Sequence, residues 1–304
     1  MTTRPYSLLL VSLVVFSFPQ IASAQQMADP TFNALVAQPA YRKNFPRILF
    51  DEAHNNFHTT IGRYKPFADL VSNDGYHVVR NRNPFRKESL STFKILVIAN
   101  ALGAEEVDEE GADHSAFTDE ECDEVRDWVR GGGALLLIAD HAPFGGAAEN
   151  LARRFGVEMT KGITYDPEHS LPGNPSLLLF SRDNKLLLDH PITDGRNEAE
   201  KINRVLTFSG QSLSGPAGSE FLRLGESARN RADRNSTREN SDAGRAQGLA
   251  FKFGKGRVVV LGEAAMLSAQ IAGAEKTQLG MNVPGSDDRQ LALNIMHWLS
   301  GLLK

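Results

Sequence analysis

Short apolar runs and helical stripes alternate through the first half of this chain. Residues 47–50 and 77–80 read as short strands, and 94–99 and 134–139 as strands of a more apolar kind. A run with almost no polar positions has to be covered on both faces, as in the middle of a parallel sheet. Residues 66–72 space their apolar side chains as a helix does and stop at the Asn73-Asp74-Gly75 turn. In 118–130, Thr118 and Glu121 have the spacing of a capping box, and Val125, Trp128 and Val129 supply a buried stripe. Glycines 131–133 end that helix and release the chain into 134–139, after which 147–155 reads as the next helix, closed by Gly156. Strand, helix, strand, strand, helix, strand, helix in this order predicts right-handed crossovers and a mostly parallel sheet with helices on both faces.

The second half is less regular. Residues 177–180, 205–209 and 221–224 read as short strands between Pro and Gly turns, and 226–247 is a polar run expected to form a mobile surface excursion. Strand pattern resumes at 249–253, turns at Gly254-Lys255-Gly256 and returns through 257–261, a hairpin. A helix is expected over 264–269, with Glu263 at its start, and an amphipathic one over 287–303 carries Leu291, Ile295, Met296, Leu299 and Leu302 on one side. No solenoid or propeller repeat is present. The expected organisation is a lead-in over 25–46 and one α/β domain over 47–304 that carries the polar insertion.

The first residues have a different character. Arg4, an apolar core from Leu8 to Phe18, and small residues at Ala22 and Ala24 form the pattern of a secretory signal cleaved after Ala24. The apolar run is shorter than the roughly 20 residues of a spanning helix, and Pro19 closes it. The mature chain has no second run of that kind, so the protein is expected in the periplasm or outside the cell, with no transmembrane segment after signal removal. Its net charge of −4 and the lack of a basic stripe argue against nucleic acid as a partner. Cys122 is the single cysteine, so no internal disulfide forms. Its helical spacing with Val125 and Val129 makes it a packing residue.

Chemistry is expected where the parallel strands end, because ligands of such sheets bind beyond the carboxyl ends. Asp140 and His141 follow one strand, Asp51, Glu52 and His54 another, and Glu263 a third. Carboxylates beside imidazoles can serve as general acid and base, and the set Asp51, His54, Asp140 and His141 can also hold a divalent metal. Glu52, Asn55, His58 and Ser212 are the accompanying substrate-binding candidates. Each residue also has a structural reading: His54 and His58 as loop caps, the Asp residues as turn acceptors, Glu263 at a helix start, His297 in packing and His190 in a turn. Ile48 to His54 resembles the metal-holding strand end of a nucleotide-hydrolysing motor, but the chain has no GxxxxGK[ST] phosphate loop. Gly210-Gln211-Ser212-Leu213-Ser214 comes close to a GxSxG elbow, with Ser214 where the second glycine belongs and a loop where the helix belongs.

The strand end Asp51-Glu52-Ala53-His54, residues 118–139, the turn from Asp140, the phrase His190-Pro191-Ile192-Thr193-Asp194-Gly195 and the stretch 256–263 resemble bacterial members of the class I glutamine amidotransferase-like superfamily, an exported group among them. The resemblance covers most of 45–303 and implies a flavodoxin-like three-layer sandwich with a mostly parallel sheet. The family places a nucleophilic cysteine at the elbow after this strand and a His-Glu pair later. Here the elbow carries Asp140-His141, and Glu263 follows Gly262 with no partnering histidine, so cysteine-dependent glutamine hydrolysis is not expected. The expectation is an exported hydrolase-like enzyme in which the Asp/His cluster activates water or binds a metal, acting on a small-molecule or glycan-derived ligand. A non-catalytic ligand-binding or envelope-assembly domain would use the same cleft for recognition.

Overall fold

The computed structural model of the chain describes residues 26–233 and 236–304; the predicted leader, residues 1–24, lies outside them. The apolar runs become strands β1 (Arg47–Asp51), β2 (His77–Asn81), β3 (Ile95–Ala99) and β4 (Ala134–Ile138). Helices α1 (Lys65–Asn73), α2 (Lys87–Ser91) and α3 (Asp119–Arg130) lie between them, and α4 (Phe144–Arg153) follows. The rest of the central sheet comes from β5 (Glu158–Met159), β6 (Leu213–Ser214), β7 (Glu220–Arg223), β8 (Ala246–Phe253) and β9 (Gly256–Leu261), and α5 (Asp288–Ser300) closes the chain.

This nine-stranded sheet runs β2-β1-β3-β4-β9-β8-β6-β5, with β7 also paired to β8. The first five strands in that order are parallel, and the remainder continues antiparallel. β4 is central because its five residues are all buried. Leu135 and Leu137 enter one apolar cluster and Leu136 and Ile138 the other. Each such side chain contributes about 1.5–3 kcal/mol when taken fully from water, so a strand apolar on both faces is stable only with cover on both. Phe67 and Leu70 of α1 and Leu291 and Ile295 of α5 supply one cluster; Cys122, Val125 and Val129 of α3 and Leu151 of α4 supply the other. α3 begins as its capping box requires, the Glu121 amide donating to Thr118 Oγ1 at 3.2 Å and the Thr118 amide to Glu121 Oε2 at 3.1 Å.

Cys122 is wholly buried on α3, and burial pushes its thiol up to about 12. Because the thiolate is the reactive form, the folded protein is expected to resist a disulfide-exchange reagent at pH 8 and to react in denaturant. Rapid labelling of the native chain would contradict this.

Three elements differ from expectation. α4 starts at Phe144, after a cis Ala142–Pro143 peptide, and not at 147. Gly145 and Gly146 therefore lie inside the helix. They are glycines because a Cβ would stand 2.5 Å from the Gln211 side chain and 2.6 Å from the Asp113 carbonyl oxygen. The helix expected over 264–269 is a single 3-10 turn, Ala265–Leu267, closed by Ser268 Oγ donating back to Ala265, and strand Ala269–Ala272 follows at once. The polar run 226–247 contains strands Arg229–Arg231 and Glu239–Ser241, paired with each other, the first also with Ile163–Tyr165. Main-chain ladders need no apolar side chains, and buried Asp242 links this unit by accepting from Thr164 Oγ1 at 2.9 Å and Asn230 Nδ2 at 2.6 Å. Among the described residues no helix is long and apolar enough to cross a membrane.

Candidate functional site

The loops leaving β1, β3, β4 and β9 at their carboxyl ends line one cleft of about 220 Å³. β1 is followed by Phe57, His58 and Arg63, β3 by Asn100, β4 by Asp140 and His141, and β9 by Glu263; Gln270 also lines the cleft. Asn100 takes a left-handed conformation (φ 50°), and its side-chain oxygen accepts the Asp140 amide at 3.0 Å. Asp140 Oδ1 accepts the His141 amide at 2.8 Å. His141 Nδ1 donates to the Ala142 carbonyl at 2.8 Å, which leaves Nε2 3.9 Å from Asp140 Oδ1. A carbonyl only accepts, so Nδ1 carries a proton.

Glu263 is fully buried, whereas the Asp140 side chain keeps 16% of its surface exposed. Glu263 accepts the amides of Ala265 at 2.5 Å and Met266 at 2.8 Å. Burial nevertheless pushes its carboxyl well above the usual range, and the charge of Asp140 pushes it further. Burial also raises Asp140, opposed by His141 and the amides of His141 and Ala264. Two interacting carboxyls titrate as a pair. Tyr64, also buried, donates to the Ala264 carbonyl at 2.6 Å and stacks on His58 with ring centroids 4.8 Å apart.

His58 is 4% exposed, and burial, aided by the Arg63 charge, pushes its imidazole down to about 3. It is therefore neutral, and its buried Nδ1 has no hydrogen-bond partner among the described residues. Arg63 lies 4.5 Å above the Phe57 ring, with Gln26 Oε1 at 3.5 Å as its nearest polar contact and no carboxylate partner among the described residues.

The structure brings Asp140, His141, Glu263 and His58 to this cleft and leaves the other predicted residues out of its lining. Asp51 and His54 are spent on each other: His54 Nδ1 lies 2.8 Å from Asp51 Oδ2, and Nε2 lies 3.0 Å from Glu121 Oε1. Phe85 and Phe117 cover that ring, each 4.7 Å from it. The expected joint quartet of Asp51, His54, Asp140 and His141 is thus divided in two. Among the described residues no group of three or more His, Cys, Asp or Glu side chains could hold a metal ion. Glu52 pairs with Arg80 and Thr60, and Asn55 is an exposed left-handed turn residue with φ 47°. Ser212 is buried between Arg245 Nε at 2.9 Å and Thr160 Oγ1 at 3.3 Å, with no imidazole or carboxylate in contact, so it is not an activated nucleophile. His190 caps the turn Pro191–Asp194 by accepting the Ile192 amide. His297 does more than pack, since its Nε2 lies 2.7 Å from buried Asp74.

Gln211, the neighbour of Ser212, is not among the expected site residues. Its Nε2 donates to the carbonyls of Ala139 at 2.8 Å and Asp140 at 2.9 Å, and its Oε1 accepts the Lys161 amide at 2.8 Å. The near-elbow is thus a clamp that orients the exit of β4, and its only sequence signal is a Gly-Gln pair after a strand. Gln211→Ala is expected to lower stability by at least ~1–3 kcal/mol, because it strips partners from main-chain groups in a closed setting. A denaturation midpoint unchanged from wild type would remove that role.

No protein-family model matches the chain. No curated protein matches it either. Solved structures do. The mmIFT52 N-terminal domain superimposes with a TM-score of 0.58 at 15% identity, over 84% of this chain and 97% of that one. A protein described as thua-like from Parabacteroides merdae matches at 13% identity and a TM-score of 0.45, over 85% of this chain and 91% of its own. Another from Bacteroides uniformis gives 13% and 0.42, over 90% and 95%. The first match shows a shared fold, a mixed α/β architecture around a large, mostly parallel sheet.

Proposed function

We propose that this chain is an exported, hydrolase-like enzyme of flavodoxin-like, three-layer architecture, related to the glutamine amidotransferases in fold and not in chemistry. The observation that carries the reading is the pair of carboxyls Asp140 and Glu263, which follow two adjacent parallel strands and line one cleft, with His141 beside Asp140. A solvent-touching carboxylate whose buried neighbour holds a proton is suited to general acid–base work, because the pair keeps one proton ready near neutral pH. Asp140, with His141 Nε2 at hand, accepts the proton of an attacking water. Glu263 lies behind it and acts as a positioning residue that sets the pH range in which the pair carries a single proton. The exported address rests on the leader pattern of residues 1–24.

The test is a panel of glycosides, esters and amides offered to the mature protein between pH 4 and 9. Turnover by wild type that disappears in Asp140→Asn supports the reading. No turnover of any class across that range overturns it, and the cleft is then one that only binds.

A further inference from the structure

We infer that the cleft takes a small anionic polyol, its anion held by Arg63 and one hydroxyl by Gln270; this rests on the acid–base reading of the same site and names the class of molecule it acts on. Three polar groups around the cleft lack the partners that buried or half-buried groups ordinarily have. The Arg63 guanidinium, half-buried, has no carboxylate against it among the described residues. Gln270 is 1% exposed: its Nε2 donates to Ser268 Oγ at 2.6 Å, while its Oε1 is buried with no donor. His58 adds the unpartnered Nδ1 of a neutral ring. Leaving such atoms unmatched is costly, so the arrangement fits a ligand that completes them.

Each unpartnered group selects a chemistry. A planar guanidinium with free N–H groups matches a carboxylate or phosphate. An amide oxygen can be completed only by an O–H or N–H donor. Phe57, 37% exposed under Arg63 and 5.4 Å from the Phe144 ring, adds apolar surface to the cleft. A cleft of about 220 Å³ is smaller than those that take drug-sized ligands, roughly 300–1,000 Å³, so one ring with its substituents is the scale. Asp140 and Glu263 follow β4 and β9 whereas Arg63 follows β1, so the anion is placed on the Arg63 side of the cleft.

Equilibrium titration of the mature protein with D-glucuronate, D-glucose 6-phosphate and D-glucose tests this. At least one of the two anions is expected to bind at least tenfold more tightly than glucose. Whichever is stronger identifies carboxylate or phosphate as the preferred group. Arg63→Gln is expected to remove the preference for anions, and Gln270→Met to weaken anion and neutral sugar alike. Binding equal to that of glucose, no saturation by either anion at millimolar concentration, or a preference unchanged in Arg63→Gln would overturn the inference. The two readings fail separately. Anion binding lost in Arg63→Gln, with no turnover of any panel substrate, leaves this inference standing and removes the acid–base one. Turnover without anion preference does the reverse.

Discussion

Asp51→Ala is expected to cost about 3–5 kcal/mol of folding stability, among the largest effects of any single substitution in this chain, because it breaks a buried ion pair by removing one partner. His54 lies between two carboxylates, and the pull of Asp51 and Glu121 outweighs its burial, so its imidazole titrates above its ordinary value. Glu121 is held below its ordinary value by the amides of Thr118 and Phe85, the Thr118 hydroxyl and His54, against the opposing effect of burial. Removing Asp51 leaves the ring with one carboxylate inside a cage of Phe85 and Phe117, and leaves Asn81 Nδ2 with the Asn83 carbonyl, at 2.7 Å, as its remaining acceptor. The pH dependence follows from the two directions. The His54 contribution is fully present below about 6.5 and is lost as pH rises through its raised folded value. The Glu121 contribution is present above about 4.5 and is lost as pH falls through its lowered folded value. The triad therefore stabilises most in mildly acidic solution. Urea denaturation of wild type, Asp51→Ala and His54→Leu across pH 4–9 checks this: the wild-type curve should fall on its alkaline side, and the His54→Leu curve should fall less steeply there. An Asp51→Ala loss below 1 kcal/mol would show that the ring is satisfied elsewhere.

The same triad shows why sequence located the site only in part. Strand order was legible because continuous apolar runs such as 134–139 have few alternatives to a two-sided strand. The carboxyl edge was legible for the same reason, and Asp140, His141, His58 and Glu263 do line the cleft there. Asp51 and His54 also follow a parallel strand, and spacing alone could not show that Glu121, 67 positions on from His54, reaches back to take the second ring nitrogen. Glu121 already had a local explanation in its capping box, which hid its long-range contact. Arg63 and Gln270 carried no motif at all. Their importance lies in what they fail to contact, and an unmet hydrogen bond leaves no trace in residue order.

The other large effect concerns the carboxyl pair, and its signature is in the pH profile. If Asp140 accepts the proton of water, Asp140→Asn should lower turnover by about 10²–10⁴. Wild-type activity should rise with pH as Asp140 ionises, at a value above the ordinary 3.8, and fall again once Glu263 gives up the proton it holds far above 4.5. Glu263→Gln cannot ionise, so the alkaline limb should move upward or vanish while the acid limb stays. A residue that only supported the fold would lower activity at every pH and leave both limbs in place. Stability separates the cases further. A buried acid with a raised folded value releases its proton more readily when unfolded, so the pair's contribution to folding weakens as pH rises above about 4.5. In Asp140→Asn that penalty is removed, against the loss of one amide contact, and stability at pH 7 should remain within about 1 kcal/mol of wild type. An inactive variant that unfolds at the wild-type midpoint would place the defect in proton transfer. Intact activity in Asp140→Asn, or an unmoved alkaline limb in Glu263→Gln, would take the reaction away from this pair.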